Sequence, residues 1–356
     1  MKILISVGTR PEVIKIMPII IELKKRGIEL FFLYTGQHRD LANPLFDFFN
    51  IYPDINLDIM KKSQSLTHIT ASILTKIEKI LLDEKPDIVL VHGDTSTTFV
   101  SALAAFYQKI AVGHVEAGLR THNIYSPFPE ELNRNLVGKI ANYHFAPTTT
   151  NYDNLINEGI KKEQIIITGN TVIDAVKSVA SSLDVKKEKK ILVTTHRREN
   201  LGQPMKNICL ALKEIAQEYL DYKIVLPMHP NPKVRDIIKS ILDNIENVDL
   251  IEPLDYVDFI KEMISSEIIL TDSGGIQEEA PAFDIPVVVL RSETERTEGV
   301  ESGCLLMAGT EKEDILRITK KLIEDKKYYS KIAGSKNPYG DGDASNKIID
   351  FLIEKI

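Results

Sequence analysis

The sequence predicts an α/β protein with two parallel-sheet domains in tandem. Three observations predict it. The chain has 356 residues, more than one core comfortably holds. Short β-branched apolar runs alternate with longer stretches of helical periodicity. The alternation also starts twice, because KILISVGTRPE (2–12) and KKILVTTHRRE (189–199) each send an apolar strand into a loop carrying an arginine.

KILISV (2–7) reads as the first strand. Pro11 then starts a helix that should end near Gly27 and kink at Pro18. LFFLYT (30–35), DIVLVHG (87–93), AVGHVEAG (111–118) and YHFAP (143–147) continue the series, with helical stretches such as TTFVSALAAFYQ (97–108) between them. Apolar, non-alternating strands suit a parallel sheet covered by helices on both faces. A charged linker, DVKKEKK (184–190), separates this series from a second. ILVTTH (191–196), KIVLPMH (223–229), NVDLIEP (247–253), EIILTD (267–272) and PVVVL (286–290) are its strands. The expected domains are therefore 1–183 and 184–338. The amphipathic segment ASNKIIDFLIEKI (344–356), within a tail from 339 onward, is expected to pack back across the cleft on the first domain.

Composition removes several function classes. Net charge is −7, so a nucleic-acid role lacks the basic stripe it needs. No apolar run reaches membrane-spanning length, and MKILISVGTR lacks the length and cleavage site of a signal peptide. A cytoplasmic protein is the expectation. Cys209 and Cys304 share no motif, and no disulfide framework is expected. His196 and His229 have no HxxxH or cysteine partners at ligand spacing, so no metal site is expected.

The unusual residues cluster after strands, where ligands bind in open parallel sheets. In VGTRPEVIK (7–15), Gly8 permits a tight turn, and Arg10 and Lys15 bracket a helix start. Cations beside exposed helix amides suit phosphate oxygens; a pair of surface charges is the alternative. In VHGDTSTT (91–98), Asp94 follows a buried strand, and a helix N-cap is its other reading. In HVEAGLRT (114–121), Glu116 falls at a strand end beside Gly118, where core packing does not explain a carboxylate. SPFPEELNR (126–134) adds Glu130 and Glu131 in a first helical turn, which dipole reasons alone also favour. Three consecutive strand ends of one half thus deliver carboxylates to one rim, a pattern suited to proton transfer on a bound ligand.

The second half offers cations and bare backbone. TTHRREN (194–200) carries His196, Arg197 and Arg198. PMHPNP (227–232) carries His229 between prolines, and SETERTEG (292–299) carries Arg296, which either completes an anion site or decorates a charged loop. In SGGIQEEA (273–280), Gly274 and Gly275 expose amides that a β-carbon would obstruct, so a pyrophosphate can approach. Helical side chains tilt toward the N-terminus, so Glu279 can reach back and accept hydrogen bonds from a ribose diol, with Glu278 facing elsewhere. No GxGxxG follows the first strand and no GxxxxGK[ST] occurs.

The ordered set GTRPEVIK, HGDT, HVEAGLR, PEELNR, THRREN and DSGGIQEEAPAF resembles the non-hydrolysing UDP-N-acetylglucosamine 2-epimerases over almost the whole chain. The resemblance implies two Rossmann-like domains of the glycosyltransferase-B type with the active site between them. It also implies a homodimer that converts UDP-N-acetylglucosamine to UDP-N-acetylmannosamine with no cofactor. Position by position, it puts Arg10, Lys15, His196, Ser273, Gly274, Gly275, Glu279 and Arg296 on the nucleotide and Phe259 against the uracil. Asp94, Glu116, Glu130 and His196 form the implied catalytic set. Many bacterial members bind a second substrate molecule as an activator. Gln37, His38 and His229 match that site, but Asp40 stands where a glutamine is usual and Ser63 where an arginine is. A UDP-sugar glycosyltransferase of the same architecture, a hydrolysing 2-epimerase and a non-catalytic sugar-nucleotide sensor remain alternatives.

Overall fold

A computed structural model describes residues 1–37, 39–60 and 64–356, with the side chains of residues 39–41 and 198 outside the description. The chain divides into two compact units, one of Met1–Ala175 with Gly340–Ile356 and the other of Val176–Tyr339. The division falls inside the helix Thr171–Ser181, not in the charged stretch 184–190. A helix carries the chain over because 171–181 holds a continuous apolar face (Val172, Ile173, Val176, Val179) that stays buried.

Among the described residues, the first unit has seven parallel strands: β1 (Lys2–Val7), β2 (Glu29–Tyr34), β3 (Ile55–Asn56), β4 (Ile88–His92), β5 (Ala111–Val115), β6 (Tyr143–Ala146) and β7 (Ile165–Ile167). Their order is β3-β2-β1-β4-β5-β6-β7. The second unit has β8 (Lys190–Thr194), β9 (Lys223–Pro227), β10 (Val248–Ile251), β11 (Ile268–Thr271), β12 (Val287–Val289) and β13 (Leu305–Met307), in the order β10-β9-β8-β11-β12-β13. The central strands β4 and β8 are buried along their whole length, as helices on both faces of a parallel sheet require. The alternation of apolar runs and helices therefore leads to two parallel-sheet α/β units.

Each sheet winds outward in one direction and then returns beside its first strand. The reversal lies between β1 and β4 in the first unit and between β8 and β11 in the second. At such a switch point the loops leaving the carboxyl ends diverge and leave a crevice for a ligand. Gly8–Arg10 and Gly93–Asp94 leave one of these pairs; Thr195–Arg197 and Asp272–Gly274 leave the other.

The helix Arg10–Lys25 has Pro11 in its first turn and runs on through a buried Pro18 without a break. Its chain then turns at Gly27, with φ +67. The last helix, Ala344–Lys355, belongs to the first unit and packs on Arg10–Lys25. Asp174 accepts hydrogen bonds from the backbone N–H of Ala344 (3.2 Å) and Ser345 (2.8 Å), capping it from the side. Arg26 reaches Asn346 at 2.9 Å and pairs with Asp350. Among the described residues no helix is long and apolar enough to cross a membrane.

Three histidines lie in neighbouring strands of the first sheet. His92 ends β4, while His114 in β5 and His144 in β6 are register partners. All three are buried. Burial pushes them down to about 4, about 3 and about 4 respectively, so the folded unit holds them neutral. The unfolded chain protonates them near their ordinary 6.5, and the folded unit only at those lower values. Stability is therefore lost as pH falls from about 6.5 towards about 4. Below pH 6.5, each such histidine is expected to remove about 1.4 kcal/mol for every further fall of one in pH. Denaturant unfolding of the first unit between pH 7 and pH 4.5 should thus show a loss of several kcal/mol. His144→Phe, which removes one of the three protons, is expected to flatten the slope. An unchanged slope would assign the loss to carboxylates instead.

Candidate active site

The loop after β1 cannot carry a side chain at its first position. A β-carbon on Gly8 would lie 2.2 Å from Thr97 Oγ1 and 2.4 Å from Thr35 Oγ1. Glu12 then fixes the loop from inside the helix. Its carboxylate accepts the backbone N–H of Gly8 (3.1 Å) and Thr9 (2.7 Å) on one oxygen and the hydroxyls of Thr95 (2.8 Å) and Thr98 (3.1 Å) on the other. Glu12 is 3% exposed, and burial raises its pKa against those hydrogen bonds. One carboxyl therefore ties the loop carrying Arg10 to the loop carrying Asp94.

Lys15 projects from the same helix and donates to Glu116 Oε1 at 2.5 Å. Asn170, just past β7, donates to the same oxygen at 2.9 Å. Glu116 itself follows β5 in the left-handed region, with φ +62, at a cost on the order of 1 kcal/mol. The turn aims its carboxylate back over the carboxyl edge of the sheet, and Oε2 lies 3.5 Å from His92 Nε2. Burial alone would raise the Glu116 pKa, but the charge of Lys15, then the neighbouring His92, then the hydrogen bonds from Lys15 and Asn170 win and hold it well below the usual carboxylate range. Glu116 is therefore an ionised base, partly buried, on a rim.

Asp94 does not cap the helix that follows it. Thr95 does, accepting the N–H of Thr98 at 3.2 Å. Asp94 Oδ2 instead meets Arg134, at 2.9 Å from Nε and 2.6 Å from a terminal nitrogen. Arg134 also pairs with Glu131 at 2.9 Å, and Asn133 donates to the backbone carbonyl of Asp94 at 2.8 Å. Of the two adjacent glutamates, Glu131 is the buried one. It accepts the backbone N–H of Thr121 (3.0 Å) and His122 (3.1 Å). Glu130, half-buried, opens the helix Glu130–Ile140. The expectation of three strand ends needs correcting here. Asp94 and Glu116 leave β4 and β5 directly, but Glu130 comes from a helix start that Asn133 and Arg134 tie to Asp94.

The second unit is organised by Asp272, wholly buried after β11. It accepts from Thr195 Oγ1 (3.0 Å), His196 N (3.0 Å), Arg197 N (3.0 Å) and Asn200 Nδ2 (2.9 Å). The loop after β8 is therefore wound around one carboxylate. His196 Nδ1 lies 3.3 Å from Asp272, and its ring stacks on His229 with centroids 6.2 Å apart and 16° between planes. His229 is exposed, and its Nδ1 accepts the N–H of Asn231 at 3.2 Å.

Gly274 and Gly275 open the short helix Gly274–Glu279, preceded by Ser273. The Arg296 guanidinium lies against Gly274, 3.1 Å from where a β-carbon would be. Glu278 holds that guanidinium at 2.9 Å from Nε and 2.8 Å from a terminal nitrogen. Glu278 thus faces Arg296, while Glu279 curls back so that its Oε1 would lie 3.4 Å from a β-carbon on Gly275. Phe259 is half-buried on the helix Tyr256–Ser265. Gln37 is buried after β2. His38, Ser63 and the side chains of Asp40 and Arg198 lie outside the described residues.

Residues 21–353 match the family described as UDP-N-acetylglucosamine 2-epimerase. The UDP-N-acetylglucosamine 2-epimerase of Bacillus subtilis (strain 168) is 50% identical over 361 residues, covering 99% of this chain and 95% of that protein. The crystal structure of UDP-GlcNAc 2-epimerase from Neisseria meningitidis bound to UDP-GlcNAc is 46% identical, with a TM-score of 0.87 over 99% of this chain and 100% of that one. The Methanocaldococcus jannaschii UDP-GlcNAc 2-epimerase in complex with UDP-GlcNAc and UDP is 36% identical, with a TM-score of 0.78 over the same shares. The chain belongs to the UDP-N-acetylglucosamine 2-epimerase family.

In this family member the motifs advertise the exposed groups and leave their supports unmarked. Glu12, Arg134, Asn170 and Asp272 do not stand out in the sequence, yet each fixes a residue that does. Glu12 had one local signal, because it stands three residues after Thr9 before an apolar run, a capping-box spacing. Asp272 had a weaker one, as a carboxylate directly after an apolar strand. Arg134 and Asn170 had none, since the rim residues they hold, Asp94 and Glu116, are 40 and 54 residues away.

Proposed function

We propose that the protein interconverts UDP-N-acetylglucosamine and UDP-N-acetylmannosamine by eliminating UDP and adding it back. The observation that carries this reading is the family match over residues 21–353, and the site supplies a carboxylate for it in Glu116, on the rim beside Lys15. The C2 hydrogen of the sugar is not next to a carbonyl, so a carboxylate cannot remove it directly. Departure of UDP first builds oxocarbenium character at C1, which acidifies that hydrogen. Loss of the proton gives 2-acetamidoglucal and UDP. Protonation of C2 on the opposite face, with return of UDP to C1, gives the epimer.

In this scheme Arg10, Lys15, Arg296 and the amides of Gly274 and Gly275 stabilise the charge that develops on the leaving diphosphate. Ser273 and His196 add donors there, Glu279 holds the ribose diol and Phe259 packs on the uracil. Asp94, Glu116 and Glu130 move the protons on the two faces. With this activity goes a cytoplasmic homodimer, which sedimentation of the purified chain and fractionation of cells test.

Proton NMR of the chain with UDP-N-acetylglucosamine alone in heavy water tests the chemistry. The expected result is a new UDP-N-acetylmannosamine anomeric signal with deuterium at C2. Free N-acetylmannosamine with UDP would indicate the hydrolysing reaction. No turnover until an acceptor is added would indicate a glycosyltransferase. Epimer without deuterium would exclude a proton-exchange route.

A further inference from the structure

The two oxygens of Glu116 face different partners. Oε1 accepts from Lys15 and Asn170, and both donors favour the ionised carboxylate. Oε2 lies 3.5 Å from His92 Nε2, too far for a hydrogen bond in this state. His92 is 2% exposed, and its Nε2 has no hydrogen-bond partner among the described residues. A buried ring nitrogen without a partner costs about 1–3 kcal/mol. Burial keeps this ring neutral.

A proton on Nε2 would face an ionised carboxylate and draw it in to about 2.7–2.9 Å. The 3.5 Å separation points instead to a lone pair on Nε2, with the ring proton on Nδ1. A lone pair facing an ionised carboxylate is repelled, which suits the 3.5 Å separation. The same lone pair becomes an acceptor once Oε2 bears a proton.

We propose that His92 is a positioning residue whose Nε2 accepts a hydrogen bond from Glu116 whenever Glu116 Oε2 is protonated, fixing which oxygen carries the proton. The proposal rests on the epimerase reading above, in which Glu116 is one of the proton carriers. In the elimination the C2–H bond breaks and its electron pair becomes the second C1–C2 bond. The C1–O bond breaks with its pair leaving on UDP, and the proton passes to the carboxylate on that face. In the return step the carboxylate on the other face gives a proton to C2 while a UDP oxygen re-forms its bond to C1. Whichever face Glu116 serves, it is ionised at one end of the reaction and protonated at the other. Lys15 and Asn170 hold the first form and His92 holds the second. No proton passes to His92, and between turnovers the two carboxylates return to their starting forms by proton exchange with water.

His92→Phe and His92→Gln test this against the wild type, with C2-deuterated UDP-N-acetylglucosamine as the probe. His92→Phe is expected to lower kcat by about 10- to 100-fold while KM and UDP affinity stay within about 3-fold. The C2 isotope effect on kcat should grow, because proton transfer becomes slower relative to the other steps. His92→Gln, whose side-chain carbonyl can accept, is expected to recover most of the loss. A kcat for His92→Phe within about 2-fold of wild type, or a loss of kcat with an unchanged isotope effect, overturns the proposal. Should neither variant fold, nitrogen-15 NMR of histidine-labelled wild type decides. An unprotonated Nε2 on His92 at neutral pH is expected, and a protonated one overturns the idea. A wild-type chain that forms no epimer would instead remove the functional reading, an outcome visible before any variant is made.

Discussion

Glu116→Gln is expected to lower epimerase turnover by about 100-fold or more while leaving UDP affinity nearly unchanged. The substitution keeps the shape of the side chain. The amide oxygen can still accept from Lys15 and Asn170, so the left-handed turn at position 116 and the rim around it are retained. What is lost is the group that can take and return a proton. Asp94→Asn makes the same test on the next loop, where Arg134 and the backbone contact from Asn133 hold the residue in place. Steady-state kinetics with UDP-N-acetylglucosamine and calorimetric titration with UDP give the two readouts. Near-wild-type turnover in both variants would take the carboxylates out of the chemistry.

Asp272→Ala is expected to have the largest effect on stability, about 3 kcal/mol or more, measured by denaturant unfolding of the second unit. The side chain of Asp272 is fully buried and gathers two backbone N–H groups, a hydroxyl and an amide. Alanine leaves the two backbone N–H groups without this acceptor, and leaves Asn200 with only Leu290 O and Thr195 with only the weak Met205 sulfur. The loop that carries His196 and Arg197 would lose its anchor, so UDP affinity is expected to fall as well. Asp272→Asn keeps the volume and one acceptor, so it should retain part of the stability. An alanine variant as stable as wild type would mean that water or another group serves those donors equally well.

The strands that build the two sheets were legible because burial on both faces demands continuous β-branched runs, as in ILISV, IVLVH and ILVTT. The short strands Ile55–Asn56, Ile165–Ile167 and Leu305–Met307 were not. Each runs two or three residues at the edge of its sheet, too short for a periodic signal. The rim residues were legible as types that core packing cannot explain. Their exact attachments were not, because adjacent alternatives differ only in tertiary context. Asp94 and Thr95 are both good caps, and the sequence does not say that Arg134 will claim the aspartate. Glu130 and Glu131 share a helical turn, and only the position of the Thr121 and His122 amides makes Glu131 the inward one. Glu278 and Glu279 differ in the same way, and Arg296 decides between them.

The return of Gly340–Ile356 to the first unit has a consequence for how the chain is made. The helix Arg10–Lys25 is synthesised early, yet Ile348, Ile349 and Leu352, which seal the first unit, emerge only after 164 intervening residues of the second. Those three side chains bury apolar surface worth roughly 5 kcal/mol. A nascent chain on the ribosome therefore carries an uncovered greasy seam along its first domain until the helix Ala344–Lys355 has emerged. Chaperone engagement and sensitivity to premature stop codons should both concentrate there.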